Sequence, residues 1–261
     1  VTFSGEVGEA TSALGDVVVN TPAVTTFAKS VDATSLKTDV NGVVVATTGN
    51  KVMIQGGSIR TSGDQHFAEL VVLDKTDTSV DTITTLTSTA GKVAFDAPIH
   101  NALSTAPQSL NINAADDVAF SGEVGEMASI LGDVVINTPA VTTFAKSVDA
   151  ASLKTDVSGV VVATAGNKVV IQGGRMTTTG EQHYVELVVL DNANQATVLN
   201  TTNSNVTFDK ALVNADSTMP QDLTINAGTG DVTFTGVVGE NDVVNTPASG
   251  NTPAVVKNGA L

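Results

Sequence analysis

This chain repeats itself over a long period, and that repeat limits its folds more than any other feature. Val1-Thr2-Phe3-Ser4-Gly5-Glu6-Val7-Gly8-Glu9 returns as Val118-Ala119-Phe120-Ser121-Gly122-Glu123-Val124-Gly125-Glu126 and again as Val232-Thr233-Phe234-Thr235-Gly236-Val237-Val238-Gly239-Glu240. The two offsets are 117 and 114 residues. Residues 1–74 align with 118–191 without a gap, and 58 of those 74 positions are identical. Units of this kind stack, burying a continuous core that no unit could close alone. The repeat divides the chain into unit one (1–117), unit two (118–231) and the start of a third unit with a C-terminal tail (232–261).

Within a unit, short apolar stretches alternate with turn signals. The pattern predicts strands near Val1–Ser4, Asp16–Asn20, Thr25–Val31, Gly42–Thr47, Lys51–Gln55, Gln65–Leu73, Thr82–Thr87, Lys92–Asp96 and Leu110–Asn113, separated by signals such as Asn20-Thr21-Pro22 and Gly56-Gly57. No segment carries sustained apolar spacing at i, i+3, i+4 and i+7, so helix is expected to be nearly absent. Ser58-Ile59-Arg60 becomes Arg175-Met176-Thr177 in unit two, its middle position staying apolar while the flanks change. Alternation on a strand produces that pattern, with Ile59 and Met176 facing the core.

A sandwich, a propeller and a parallel β-solenoid could each use such strands. Aromatic residues make up only 3% of the chain, which leaves Val, Ile, Leu, Ala and Thr to fill the interior. A sandwich leans on large inward rings, and a propeller has shorter and more numerous blades. The solenoid suits a ring-poor core with Asn and Gly at its corners. At three strands per coil a unit holds roughly four to five coils, and two units make a rod on the order of 40–50 Å long.

Acidic residues outnumber basic ones 27 to 12, a formal charge of −15. Phosphate backbones and anionic lipid repel such a chain, so nucleic-acid and membrane-surface roles are disfavoured. The charge reads as a solubility device, with diffuse calcium binding as the alternative and no cofactor expected. There are no cysteines, which removes disulfides, thiolate metal sites and cysteine nucleophiles and leaves the compartment open. No apolar run approaches the roughly 20 residues that span a bilayer. Starting without Met and inside an apparent strand, the chain reads as a processed form or fragment of something longer.

Candidate chemistry is sparse. His66 and His183 sit at equivalent places, each three residues before an acid, Glu69 and Glu186. That spacing points His and Glu to opposite faces of a strand, so they are not expected to share a metal ion. His100 has no counterpart, because Val213 stands there. The carboxylate groupings, Asp116-Asp117, Asp74 with Asp77 and Asp81, and Asp231, match no calcium loop and read as turn or solvated residues. Lys29 with Lys146, and Lys37 with Lys154, repeat in both units and suggest surface ion pairs rather than catalysis. No nucleophile elbow or phosphate-binding loop is present, and a non-enzymatic role is expected.

The runs Val-Thr-Phe-Thr-Gly at 232–236, Leu-Thr-Ile-Asn-Ala-Gly-Thr-Gly-Asp-Val-Thr-Phe at 223–234 and Thr-Thr-Thr-Gly-Glu-Gln-His-Tyr at 177–184 carry a likeness. They resemble repeats in large secreted bacterial β-helix proteins of the filamentous-haemagglutinin and autotransporter-passenger type. The resemblance implies an all-β, right-handed parallel β-helix at a bacterial cell surface or outside the cell, serving adhesion, matrix or filament building.

Both ends of the repeated part fall at the same phase, and a solenoid end exposes unpaired strand edges unless it is capped. The expected partner is a second copy, the coil of Val1 and Phe3 meeting the coil of Val232 and Phe234 head to tail. The alternative is an adhesin segment whose lateral face grips a glycan or a surface protein.

Overall fold

The computed structural model describes residues 1–39, 49–75, 82–102, 106–156, 166–192, 196–216 and 219–239. The strand expected at Gly42–Thr47, the acids Asp77 and Asp81, and the tail at 241–261 lie outside the described residues. Every element among them is a strand. Unit one contains β1 (Thr2–Phe3), β2 (Leu14–Val19), β3 (Val24–Phe27), β4 (Val31–Thr38), β5 (Lys51–Ile54), β6 (Ser58–Thr61), β7 (Gln65–Phe67), β8 (Leu70–Leu73), β9 (Ile83–Ser88), β10 (Val93–Phe95), β11 (Ile99–Asn101) and β12 (Ser109–Ala114). Unit two contains β13 (Val118–Phe120), β14 (Leu131–Asn137), β15 (Val141–Phe144), β16 (Val148–Thr155), β17 (Lys168–Ile171), β18 (Arg175–Thr178), β19 (Gln182–Tyr184), β20 (Leu187–Leu190), β21 (Thr197–Asn200), β22 (Val206–Phe208), β23 (Leu212–Asn214) and β24 (Leu223–Asn226), and β25 (Val232–Phe234) opens the third.

All ladder pairings are parallel and join strands one turn apart. Phe67, Phe95, Phe120 and Phe144 are direct neighbours up one column, 28, 25 and 24 residues apart in sequence. The fold is a parallel β-solenoid whose structural repeat is a turn of about 26 residues. The unit of about 115 residues repeats the sequence over several such turns.

Three faces run the length of the rod. The first carries β1, β3, β5, β8, β11, Val124, the start of β16, β18, β21 and β24. The second carries Val7, the start of β4, β6, β9, β12, β14, the end of β16, β19, β22 and β25. The third carries β2, the end of β4, β7, β10, β13, β15, β17, β20, β23 and Val238.

Sequence repeat and turn are out of step. From β1 to β13 the chain makes four turns and two further faces, and from β13 to β25 it does the same. The three equivalent strands therefore lie on the first, third and second faces in turn. Each unit is a copy of the last rotated by a third of a turn, so the units do not superpose along any single face.

Inward positions alternate with outward ones, as in β5, β7, β9 and β12. The core is richer in rings than composition suggests, because all nine aromatic residues stack in columns. Phe3–Phe27, Phe67–Phe95–Phe120–Phe144 and Tyr184–Phe208–Phe234 have centroids 5.1–5.2 Å apart and near-parallel planes. Strand spacing of about 4.8 Å places equal rings of successive layers in contact, adding ~0.5–1.5 kcal/mol per pair beyond area burial. The columns change face from unit to unit, as the one-third rotation requires.

Two strands escape the hydrophobic pattern. β4 reads Val-Asp-Ala-Thr-Ser-Leu-Lys-Thr and β11 follows Pro98 as Ile-His-Asn; stacking between neighbouring layers organises both. The strand expected at Gln65–Leu73 is two, β7 and β8, separated by the corner at Ala68–Glu69. Corners also fix backbone shape. Asp39 and Asp156 adopt φ of 50° and 53°, and a Cβ on Gly125 (φ 71°) would stand 2.1 Å from the Asp149 carbonyl oxygen.

Candidate functional site

At the first end, β1 pairs with β3 through Thr2↔Thr26 and Phe3↔Phe27, and β2 pairs with β4. Among the described residues nothing pairs with the other edge of β1 or β2. At the far end, β24 and β25 pair with β21 and β22 and likewise present open outer edges.

The repeat supplies an internal standard for these edges, because each terminal strand has an interior copy. β2 is the copy of β14, yet Leu14 is 47% exposed whereas Leu131 is 0%. Val232 and Phe234 are 41% and 40% exposed, against 0% and 1% for Val118 and Phe120. A Cβ on Gly132 would meet Ser109 Oγ at 2.6 Å, whereas one on Gly15 would have nothing within 4 Å. Among the described residues no further layer of strands covers either of these edges.

Val1 is exposed and Phe3 half-buried, its ring stacked on Phe27 at 5.2 Å. Phe234 closes its column on Phe208 at 5.1 Å, its outer face open. Val1 and Phe3 lie on the first face, while Val232 and Phe234 lie on the second at the other end of the rod. Leu14 and Val18 complete the exposed apolar surface beside β1, and Val237 that beside β25. Sequence reasoning does not single out Leu14; its signal is identity with the fully buried Leu131.

The remaining candidates are dispersed. His66 Nε2 lies 2.8 Å from Asp96 Oδ2 and His183 Nε2 3.0 Å from Asp209 Oδ2, both on the outside. Glu69 and Glu186 turn inward, accepting hydrogen bonds from Thr38 Oγ1 (2.6 Å) and Thr155 Oγ1 (2.8 Å). His and Glu are thus on opposite sides of the wall. His100 lies 3.9 Å from Glu126, and Lys154 pairs with Glu181. Asp74 accepts from Gln55 Nε2 at 2.8 Å, Asp116 caps the Asp117 amide at 2.9 Å and Asp117 the Val141 amide at 3.0 Å. Asp231 donates its amide to Asn205 Oδ1 at 2.9 Å. Among the described residues no three His, Asp or Glu side chains converge on a metal position.

Two buried acid nests escape the sequence reading. In unit two, Asp156 accepts from the Thr138 amide (2.9 Å) and Asn167 Nδ2 (2.7 Å), with Glu186 nearby. Burial, then the Asp156 charge, pushes the Glu186 carboxyl up to about 8. Burial likewise raises Glu69 and Asp156. In unit one Asp39 accepts from the Thr21 amide (2.7 Å) and Asn50 Nδ2 (2.8 Å) in the same way. These nests pin the corners after β4 and β16.

Compared with known proteins, the chain matches no family model, no curated protein sequence and no solved structure.

Proposed function

We propose that this is a non-enzymatic structural protein whose solenoid joins end to end with further copies into a filament at a bacterial surface or outside the cell. One observation carries the reading: strands paired on both edges inside the rod have near-identical copies in its first and last described layers, and there one edge has no partner among the described residues. Leu14 against Leu131 and Phe234 against Phe120 are the sharpest cases. Open, apolar strand edges favour pairing with another chain. A contact between unlike ends propagates without closing. The side walls favour no catalytic reading, since their histidines and lysines are spread over both units and several pair with neighbouring acids. The extracellular setting rests on the resemblance of residues 177–184 and 223–236 to secreted β-helix adhesins and filaments.

Light scattering and negative-stain imaging of the purified chain test this. Rods lengthening with concentration are expected, with salt promoting growth because both partners carry −15 charges. A strictly monomeric species at high concentration and high salt would overturn it.

A further inference from the structure

We infer that the end-to-end joint forms by strand replacement: residues 232–239 of one copy take the place of residues 1–8 in the next. The inference rests on the end-to-end reading above and specifies its geometry.

The template lies inside the molecule, at the seam between units. There β12 pairs with β14 through Leu110↔Val134 and Ile112↔Ile136. One strand further on, β13 pairs with β15 through Phe120↔Phe144, and Val124 bridges to Val148. Both sides of this seam recur at the ends. β24 and β25 are the copies of β12 and β13, and β2 and β3 are the copies of β14 and β15.

Repeating the seam between two molecules sets β24 against β2 of the next copy, Leu223 beside Val17 and Ile225 beside Val19. It also sets Phe234 on Phe27 of that copy. That position is already taken, because β1 lies on β3 through Phe3↔Phe27, and Val7 bridges Val31. Residues 1–8 are themselves a copy of 232–239, identical at 6 of 8 positions. The two segments compete for one site.

Exchange conserves what it breaks. The amides of Thr26 and Ala28 bond to Val1 and Phe3 carbonyls, and the Asp32 amide to Val7 O. The incoming Val232, Phe234 and Val238 carry the same carbonyls in the same phase. The exchange adds a β24–β2 ladder and covers Leu14 and Leu223. It also extends Tyr184–Phe208–Phe234 by Phe27, reproducing the four-ring column Phe67–Phe95–Phe120–Phe144. β1 is the segment suited to leave, being a strand of two residues whose only ladder partner among the described residues is β3. Successive copies are then related by a third of a turn, since β1 and β25 lie on adjacent faces.

Cysteine pairs decide between exchange and simple stacking, as the chain has no cysteine of its own. Thr26 pairs with Thr2 on outward positions, and Thr233 is the copy of Thr2. In the double variant Thr26→Cys with Thr233→Cys, oxidation is expected to give a ladder of disulfide-linked multimers. In Thr2→Cys with Thr26→Cys, the disulfide closes within one chain, locks β1 down and abolishes filament growth, which reduction restores. Phe234→Asp stops growth, whereas Phe3→Asp, which loosens β1, lowers the concentration needed for it several-fold. Circular dichroism confirms that each variant is folded. Filaments that form despite the lock, together with no disulfide ladder from the Thr26→Cys, Thr233→Cys variant, overturn strand replacement and leave end-to-end stacking standing. A native chain that never assembles overturns both.

Discussion

Units one and two differ at only 16 of their 74 gap-free positions, yet the same residue often lives in a different environment in each. Leu14 and Leu131 head the same Leu-Gly-Asp-Val-Val run, one exposed and one buried, because among the described residues only the second has a layer beneath it. Ser58 becomes Arg175, whose guanidinium meets both oxygens of the buried Asp149 at 2.7 Å. Phe67 becomes Tyr184, whose hydroxyl donates to Gln182 Oε1 at 3.1 Å. In a solenoid, local sequence decides which side chains point inward, and the neighbouring turns decide whether that side is closed.

The largest effect expected from this contrast is on Leu14 and Leu131 themselves. Leu131→Ala removes a fully buried side chain between two layers and is expected to cost about 2–5 kcal/mol, while Leu14→Ala costs under about 1 kcal/mol in the isolated chain. Urea unfolding of dilute protein measures both. Equal losses would mean that the open end is covered in solution. Under conditions where filaments form, the Leu14→Ala penalty is expected to grow toward that of Leu131→Ala.

The acid nests give the second contrast. Glu186 has a folded value of about 8 against an ordinary 4.5, with burial the leading cause and Asp156 the next. The sign follows from proton linkage: between those values the folded chain holds a proton that the unfolded chain releases. The stabilisation is complete below about pH 4.5 and declines by up to about 1.4 kcal/mol per pH unit until pH approaches 8. Glu186→Gln is expected to flatten this decline and Glu69→Gln to act in the same direction more weakly, read from urea midpoints at pH 5, 6.5 and 8. An unchanged slope in Glu186→Gln would show that the carboxyl is ionised in the folded state.

Much of this architecture was legible in the sequence. The long repeat, the strand-length apolar runs and the Ile59/Met176 substitution pointed to stacked coils, and the number of coils per unit followed from strand spacing. Three features were not legible, each for a physical reason. The aromatic columns depend on registers between residues 24 to 28 apart, a distance that unequal loops set and no periodicity reveals. The one-third rotation is the shortfall from five whole turns left by four turns and two further faces per unit, and turns of varying length hide it from the sequence. Glu69 and Glu186 stand among apolar neighbours, but the hydroxyls that meet them inside, Thr38 and Thr155, lie 31 residues away in sequence, across a layer that no local pattern reveals. At the ends, Val1, Phe3, Val232 and Phe234 stood out because of their phase, whereas Leu14 needed its buried twin to be noticed.

The smallest expected effect is the cleanest, because unit two already shows the answer. Gln65 and Gln182 sit in the same interior cage. Each amide donates to three acceptors: Ile59 O, Thr61 Oγ1 and Thr87 O around Gln65, and Met176 O, Thr178 Oγ1 and Asn200 O around Gln182. In unit two the Tyr184 hydroxyl satisfies Gln182 Oε1; in unit one Gln65 Oε1 is buried with no partner. Phe67→Tyr supplies the missing donor at the equivalent place, and should stabilise the chain by up to about 1 kcal/mol. Tyr184→Phe removes it and should cost about as much or more, since it strands a buried acceptor. The two shifts are read as urea midpoints against the native chain. A Phe67→Tyr variant that loses stability would show that the ring column, resting on Phe95 at 5.2 Å, has no room for the oxygen, and that the two units differ in packing as well as in hydrogen bonding.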